Sequence, residues 1–143
     1  GKLMRRFEVS MLEESAEQIP SPKLNLTHMS KLVLDRVNDL FKDLDDHVRI
    51  IGTADRLSFT SFDDLGKFEA DFHKGDDTTL EIECSAEAKA TYSVSYLKEM
   101  FKALTELSDI VTIRFATDMP MEITAELQNK GTAKLYLAPI ESE

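Results

Sequence analysis

One order of elements, strand–helix–strand–strand–strand, occurs twice along this chain of 143 residues. In the first copy Leu24, Leu26 and His28 alternate with polar neighbours and mark a short strand. Ser30 is placed to cap a helix that carries Val33, Val37, Leu40, Phe41 and Leu44 at helical spacing, with Leu34 at its margin. Strands follow at His47 to Thr53, from Leu57 through Phe59 to Ser61, and at Lys67 to His73, where Phe68, Ala70 and Phe72 share a face. Turns at Ala54-Asp55 and Asp63 to Gly66 separate them. Lys74 to Asp77 is a loop, and Leu80, Ile82 and Cys84 mark a further strand.

The second copy opens with a short strand from Lys89 to Tyr92. Ser93 or Ser95 is placed to cap a helix with Leu97, Met100, Phe101 and Leu104 on its core side. Strands are expected at Ile110 to Phe115, Met121 to Leu127 and Thr132 to Ala138, with turns at Thr117-Asp118 and Gln128 to Gly131. Asp46 to Ile50 overlays Ser108 to Ile113, Ala54-Asp55 falls on Thr117-Asp118, and Lys67 to Phe72 falls on Lys134 onward. This is an internal duplication. It predicts an α+β domain with pseudo-twofold symmetry. Hairpin-length connections make its sheets antiparallel, and the sheets pack together with two helices side by side on one face.

The two ends carry their own signals. Residues 3–10 alternate weakly and read as a strand, with Arg5 and Arg6 suited to an exposed edge. Residues 11–22 are rich in carboxylates and contain Pro20 and Pro22, so they read as an extended connector. At the other end Ala133, Leu135 and Leu137 share one face of the last strand, with Lys134, Tyr136 and Ala138 on the other. Pro139 stops the ladder because it has no N–H to donate. An aromatic ring and a proline at a strand exit can form one wall of a small apolar pocket.

Gly1 to Arg6 has no apolar stretch behind its basic residues, so it does not read as a signal peptide, and Gly1 without a preceding Met resembles a cleavage scar or the start of an excised fragment. No apolar run reaches the length of a membrane span. A single cysteine, Cys84, excludes an internal disulfide and points to a reducing compartment; its apolar surroundings suit a small core residue.

No catalytic constellation stands out. His28, His47 and His73 have no metal-ligand spacing, and no phosphate-binding glycine motif is present. The pairs Asp63-Asp64 and Asp76-Asp77 and the run Asp43 to Asp46 lack the calcium-loop pattern and read as solvated turns, leaving a metal-dependent enzyme as a minor alternative. The formal charge of −10 argues against nucleic-acid contact over the whole surface, yet permits a locally basic face. Lys31, Arg36 and Lys42 lie off the apolar stripe of the first helix, and Lys98 and Lys102 off that of the second. Side by side, the helices would gather these cations, although Asp35, Asp39, Asp43 and Glu99 are interspersed.

Three stretches carry a family resemblance: Tyr92-Ser93-Val94-Ser95-Tyr96-Leu97, Asp118-Met119-Pro120-Met121, and Leu135-Tyr136-Leu137-Ala138-Pro139. With Ile19-Pro20 upstream, the chain resembles the second half of a subunit of the DNA sliding clamps of the proliferating cell nuclear antigen family, the archaeal members more than the eukaryotic. The resemblance implies residues 24–143 as the C-terminal clamp domain, 11–23 as an interdomain connecting loop, and 1–10 as a strand belonging to a missing N-terminal domain. It implies no enzyme activity and no cofactor. It places Ile19, Pro120, Tyr136, Ala138, Pro139 and Ile140 at a pocket for peptides that carry a glutamine and paired aromatics. It places Arg36 and Lys102 on the DNA-facing channel, with Lys31, Lys42 and Lys98 as companions. Strand 2–8, with Met4 and Arg6, and strand 67–72, with Lys67, Phe68, Glu69 and Ala70, fall on opposite sides of a subunit interface.

The partners implied are duplex DNA, held without sequence reading inside a trimeric ring, and DNA polymerase, clamp loader, ligase and nuclease. The location implied is cytoplasmic for an archaeal protein and nuclear for a eukaryotic one. Asp39, Asp43 and Ser95 depart from the family's more basic channel, and Glu17 replaces an apolar loop residue. A stand-alone peptide-binding module and a checkpoint-clamp-like subunit are the other readings.

Overall fold

The structure, a computed structural model, describes residues 24–63 and 66–140. The expected strand at 3–10, the connector at 11–22, and Met4, Arg6, Ile19 and Glu17 lie outside the described residues.

The order of elements is β1 (His28–Val33), α1 (Leu34–Phe41), β2 (His47–Gly52), β3 (Arg56–Asp63), β4 (Gly66–His73), β5 (Thr79–Cys84), β6 (Ala88–Ser93), α2 (Val94–Thr105), β7 (Ile110–Phe115), β8 (Met121–Glu126) and β9 (Thr132–Leu137). The fold is α+β, as the duplication predicts, and every strand pairing among the described residues is antiparallel.

The sheets are not one per copy. One has the order β5-β1-β7-β8-β9 and the other β4-β3-β2-β6. Each copy therefore lends its first strand to the other copy's sheet: β1 pairs with β7, and β6 pairs with β2. Neither half can complete its sheet alone, so the duplication is one cooperative domain. Phe41 on α1 joins the layers: its ring meets Phe101 of α2 at 5.0 Å and Phe59 of β3 at 5.8 Å, both edge-on. The rest of the core comes from both helices and both sheets, including Leu32, Ile50, Leu97, Phe115 and Leu135.

The helix boundaries correct the sequence reading. Strand β1 runs through Ser30 to Val33, and α1 starts only at Leu34. Ser30 caps nothing. It is a buried strand residue between Ile82 and Ile113, and its hydroxyl meets His28 Nε2 at 2.5 Å. Leu24 to Thr27, expected as strand, precede β1. Ser93 does occupy the cap position of α2, but its side chain caps no backbone N–H; it pairs with Ser95 Oγ at 3.1 Å instead.

A second correction concerns β5. A register shift between Lys31 and Leu32 breaks the alternation expected for Leu80, Ile82 and Cys84. Ile82 is buried, but Leu80 is 50% exposed. Cys84 is half-buried rather than a core residue, and its Sγ donates to the Ala86 carbonyl.

His28 spans the gap between the sheets. Its ring packs edge-on to Phe115 at 5.5 Å, and a Cβ on Gly52 at the end of β2 would come within 2.5 Å of its Cγ and Nδ1. The sheets can approach here only because residue 52 has no side chain. Burial pushes the imidazole down from 6.5 to about 4, and Nδ1 is buried without a hydrogen-bond partner.

Candidate docking pocket and helix face

The residues expected at a peptide pocket gather around a strand edge. β6 is the outer strand of its sheet, and two other segments satisfy its free side. The turn after β7 supplies one: Lys89 N–H donates to Thr117 Oγ1 at 3.1 Å, and Asp118 N–H donates to the Lys89 carbonyl at 3.1 Å. The chain after β9 supplies the other, with Ile140 N–H donating to the Thr91 carbonyl at 2.8 Å. Lys89 and Thr91 are two positions apart on a strand, so the two attachments sit roughly 7 Å apart. Met121 and Leu137 are register partners across β8 and β9. Pro120 and Ala138, the next residues outward, thus leave the sheet side by side.

The turn is held from below as well. Asp118 adopts φ 56, a conformation that aspartate tolerates better than most residues. Tyr92 is fully buried, and its hydroxyl donates to the Met119 carbonyl at 2.6 Å. Burial, and then the charge of Asp118, push that phenol well above its ordinary range, so it remains a donor at any ordinary pH. On β6 it shares the inward face with Ala88 and Ala90, whose small side chains leave room for one large ring.

The sequence-predicted pocket residues Pro120, Tyr136, Pro139 and Ile140 are all half-buried, and Ala138 is exposed. The structure brings Pro120 and 136–140 together. Tyr136 donates from its hydroxyl to Glu122 Oε2 at 3.1 Å, and Arg114 Nη1 donates to Glu122 Oε1 at 3.1 Å. The sequence reading missed Tyr92, Thr91, Thr117, Glu122 and Arg114 as supports. The alternation Ala88, Ala90, Tyr92 is the local signal that could have found the first, because a ring with a polar tip needs a partner when buried. The others act across long sequence separations and leave no local signal.

The helices lie side by side, as expected. Arg36 is exposed on α1 and Lys102 in the last turn of α2. Lys42 follows α1 and pairs with Asp39 at 3.2 Å, with both side chains well solvated, so that pair contributes little. Lys98 is half-buried and lines a groove of about 270 Å³ with Asp45, Asp46, His47, Ser93, Val94 and Ser95. Lys31 is a correction. It lies on β1, between Glu81 of β5 and Thr112 of β7 in register, and not on a helix. Early termination of the strand–helix reading at Ser30 misplaced it.

β4 is an edge strand of its sheet, paired with β3. Phe68 and Ala70 lean on the core, while Lys67 and Glu69 point outward and form a pair at 3.3 Å. At the far edge of the other sheet, a groove of about 740 Å³ is lined by Leu80, Asp76, Asp77, Glu81 and Glu83, among others. A hydrogen bond that the protonated Glu83 carboxyl donates to the Glu81 carboxylate, and the charge of that neighbour, raise the Glu83 carboxyl. Among the described residues, no group of three or more His, Cys, Asp or Glu could hold a metal ion, and no helix is long and apolar enough to cross a membrane.

A family model described as proliferating cell nuclear antigen, C-terminal domain, matches residues 23–140. The DNA polymerase sliding clamp of Thermofilum pendens is 32% identical over 142 residues, covering 97% of this chain and 58% of that protein. DNA polymerase sliding clamp 1 of Pyrobaculum aerophilum is 29% identical over 142 residues, covering 97% of this chain and 57% of that protein. The crystal structure of PCNA from Thermococcus kodakaraensis matches with a TM-score of 0.75 at 24% identity, over 85% of this chain and 51% of that chain, a likeness of fold. The chain thus spans somewhat more than half the length of the curated relatives it matches.

Proposed function

Because the chain belongs to the proliferating cell nuclear antigen family through its C-terminal domain, we propose that it works as the C-terminal part of a DNA polymerase sliding clamp. In this role a ring of subunits encircles duplex DNA and tethers replication and repair proteins to it. The role is non-enzymatic: topology holds the DNA, and cations on the helix face centre it without reading sequence. Arg36, Lys42, Lys98 and Lys102 are the residues proposed to face DNA. Lys31 is left out because it sits on β1.

The observation that carries the reading is the double fastening of the Met119-Pro120 turn and the 138–140 tail to one edge of β6. It builds a fixed apolar rim from Pro120, Tyr136, Ala138, Pro139 and Ile140, with Ile19 proposed as a contact from a connecting loop at 11–23. A rim of this kind suits a peptide that inserts aromatic anchors and pairs its backbone with the tail. Peptides with a glutamine and paired aromatics, from polymerase, clamp loader, ligase and nuclease, are the proposed ligands. The edge at Lys67, Phe68, Glu69 and Ala70 is proposed to meet strand 2–8 of a neighbouring copy, through Met4 and Arg6, in a head-to-tail contact. A cytoplasmic, archaeal setting fits these partners.

The test is fluorescence anisotropy with a labelled glutamine-and-aromatics peptide. Saturable binding that Tyr136→Ala weakens by about 30-fold or more supports the pocket, since a buried anchor is worth about 2 kcal/mol. Equal binding by both proteins removes it.

One observation favours a second reading, a peptide-binding recruitment module that does not encircle DNA. The helix face carries Asp35, Asp39 and Asp43 among its cations, and Asp39 already engages Lys42. A primer-extension assay separates the two. A clamp lengthens polymerase products in a salt-sensitive way, and a module with intact peptide binding does not.

A further inference from the structure

The outer face of the five-stranded sheet carries a row of side chains that peptide docking alone does not require. Arg114 on β7 is the register partner of Glu122 on β8, and Glu122 is that of Tyr136 on β9. One carboxylate serves both neighbours: its Oε1 accepts from Arg114 Nη1 and its Oε2 from the Tyr136 hydroxyl, each at 3.1 Å. The Glu122 side chain is only 14% exposed, so water competes weakly for these bonds. The guanidinium fixes the carboxylate, and the carboxylate fixes the phenol.

This arrangement settles what Tyr136 can present. Its hydroxyl reaches back across the sheet to β8, so its one donor is already committed. A tyrosine on an edge strand would otherwise sample several staggered rotamers. Held in one, it meets a ligand without losing that freedom on binding.

Resting on the docking reading above, we infer that Arg114 and Glu122 are positioning residues of the peptide pocket. They lock Tyr136 in the rotamer that offers its ring, and not its hydroxyl, to the partner. The ligand selected is a segment that lays an aromatic or aliphatic side chain against this ring and asks no hydrogen bond of it. Neither Arg114 nor Glu122 has to touch the peptide.

The experiment measures the affinity of the labelled glutamine-and-aromatics peptide for five proteins: wild type, Tyr136→Phe, Glu122→Ala, Glu122→Gln, and the double variant Tyr136→Phe/Glu122→Ala. The melting temperature of each is recorded alongside. Tyr136→Phe and Glu122→Ala should each weaken binding roughly three- to tenfold, because each breaks the same bond. The double variant should be no weaker than the worse single one. Glu122→Gln keeps an acceptor oxygen for the phenol and should recover most of the loss. A loss of general stability would track the melting temperature and would not give this pattern of non-additivity and rescue.

Wild-type affinity in Glu122→Ala, or losses that multiply in the double variant, overturns the inference while leaving the pocket standing. Failure of the wild type to bind, or unchanged binding by Tyr136→Ala, overturns the pocket and this inference with it.

Discussion

Acidification should destabilise this domain through one residue, His28. In the folded protein its imidazole is wedged between the two sheets, against Phe115 and Gly52, with Ser30 as its hydrogen-bond partner and Cys84 beside it in register. None of these neighbours carries a charge that could stabilise an imidazolium, and burial holds the group at about 4 against an ordinary 6.5. The sign follows from linkage. Between those two values the unfolded chain binds a proton that the folded chain refuses, so folding stability is full above pH 6.5 and falls as pH drops toward 4. The gap corresponds to about 3 kcal/mol in total. Most of it, about 2 to 3 kcal/mol, is lost between pH 7 and pH 4.5. The assay is denaturant unfolding at a series of pH values, for wild type and for His28→Gln, which cannot titrate. Carboxylates titrate in the same window, so the informative quantity is the difference in slope between the two proteins. The wild type should lose about 2 to 3 kcal/mol more than the variant over that range. Parallel pH profiles would refute the reasoning, because they would mean that His28 accepts its proton without cost in the fold.

Gly52→Ala should lower stability by about 1 to 3 kcal/mol, because its Cβ would collide with the His28 ring; adding His28→Ala should return part of the loss in the same unfolding assay. Tyr92→Phe leaves the Met119 carbonyl without its donor, so it should cost about 1 to 2 kcal/mol of stability and also weaken peptide binding, the second readout separating a loosened turn from a loosened core. Removing the Lys42–Asp39 pair with Lys42→Gln should change the unfolding free energy by less than about 0.5 kcal/mol. Light scattering at high concentration should show species larger than a monomer if β4 pairs with a neighbour's strand 2–8, and monomer alone would remove that contact.

How much of this was readable in advance depended on how local the cause was. Helix α2 was legible because Leu97, Met100, Phe101 and Leu104 form a stripe long enough to leave no other reading. Helix α1 was legible in its middle and not at its start. Ser30 followed by Val33 imitates a cap and the first stripe residue, yet both belong to a strand that fills the gap between β5 and β7. That placement is decided by partners far along the chain. The exchange of first strands between the copies is non-local in the same way: duplication announces two units, but nothing in either unit says that β1 and β6 change places. The bulge that turns Leu80 outward likewise depends on how β5 meets β1.

The pocket divides along the same line. The alternation at the chain end and the stop at Pro139 were visible from residue types alone, and the resemblance added Pro120. What holds those residues in place for the proposed rim is a set of backbone bonds to Lys89 and Thr91, together with the Tyr92 hydroxyl, all reaching across distant segments. The helix face shows the reverse case. Its mixed charge was plain in the sequence, but the position of Lys31 on a strand was not.

The central claim, that the Met119-Pro120 turn and the tail after β9 form a docking rim, is tested most directly by amide chemical-shift mapping. The labelled domain is titrated with an unlabelled glutamine-and-aromatics peptide. The account predicts shifts concentrated at Met119, Tyr136, Ala138 and Ile140, extending to Thr91 and Glu122 through the bonds that fasten the rim, with β3 and β4 unmoved. Shifts centred instead on the groove at Leu80 to Glu83 or on the helix face, with Tyr136 and Ile140 silent, would contradict it.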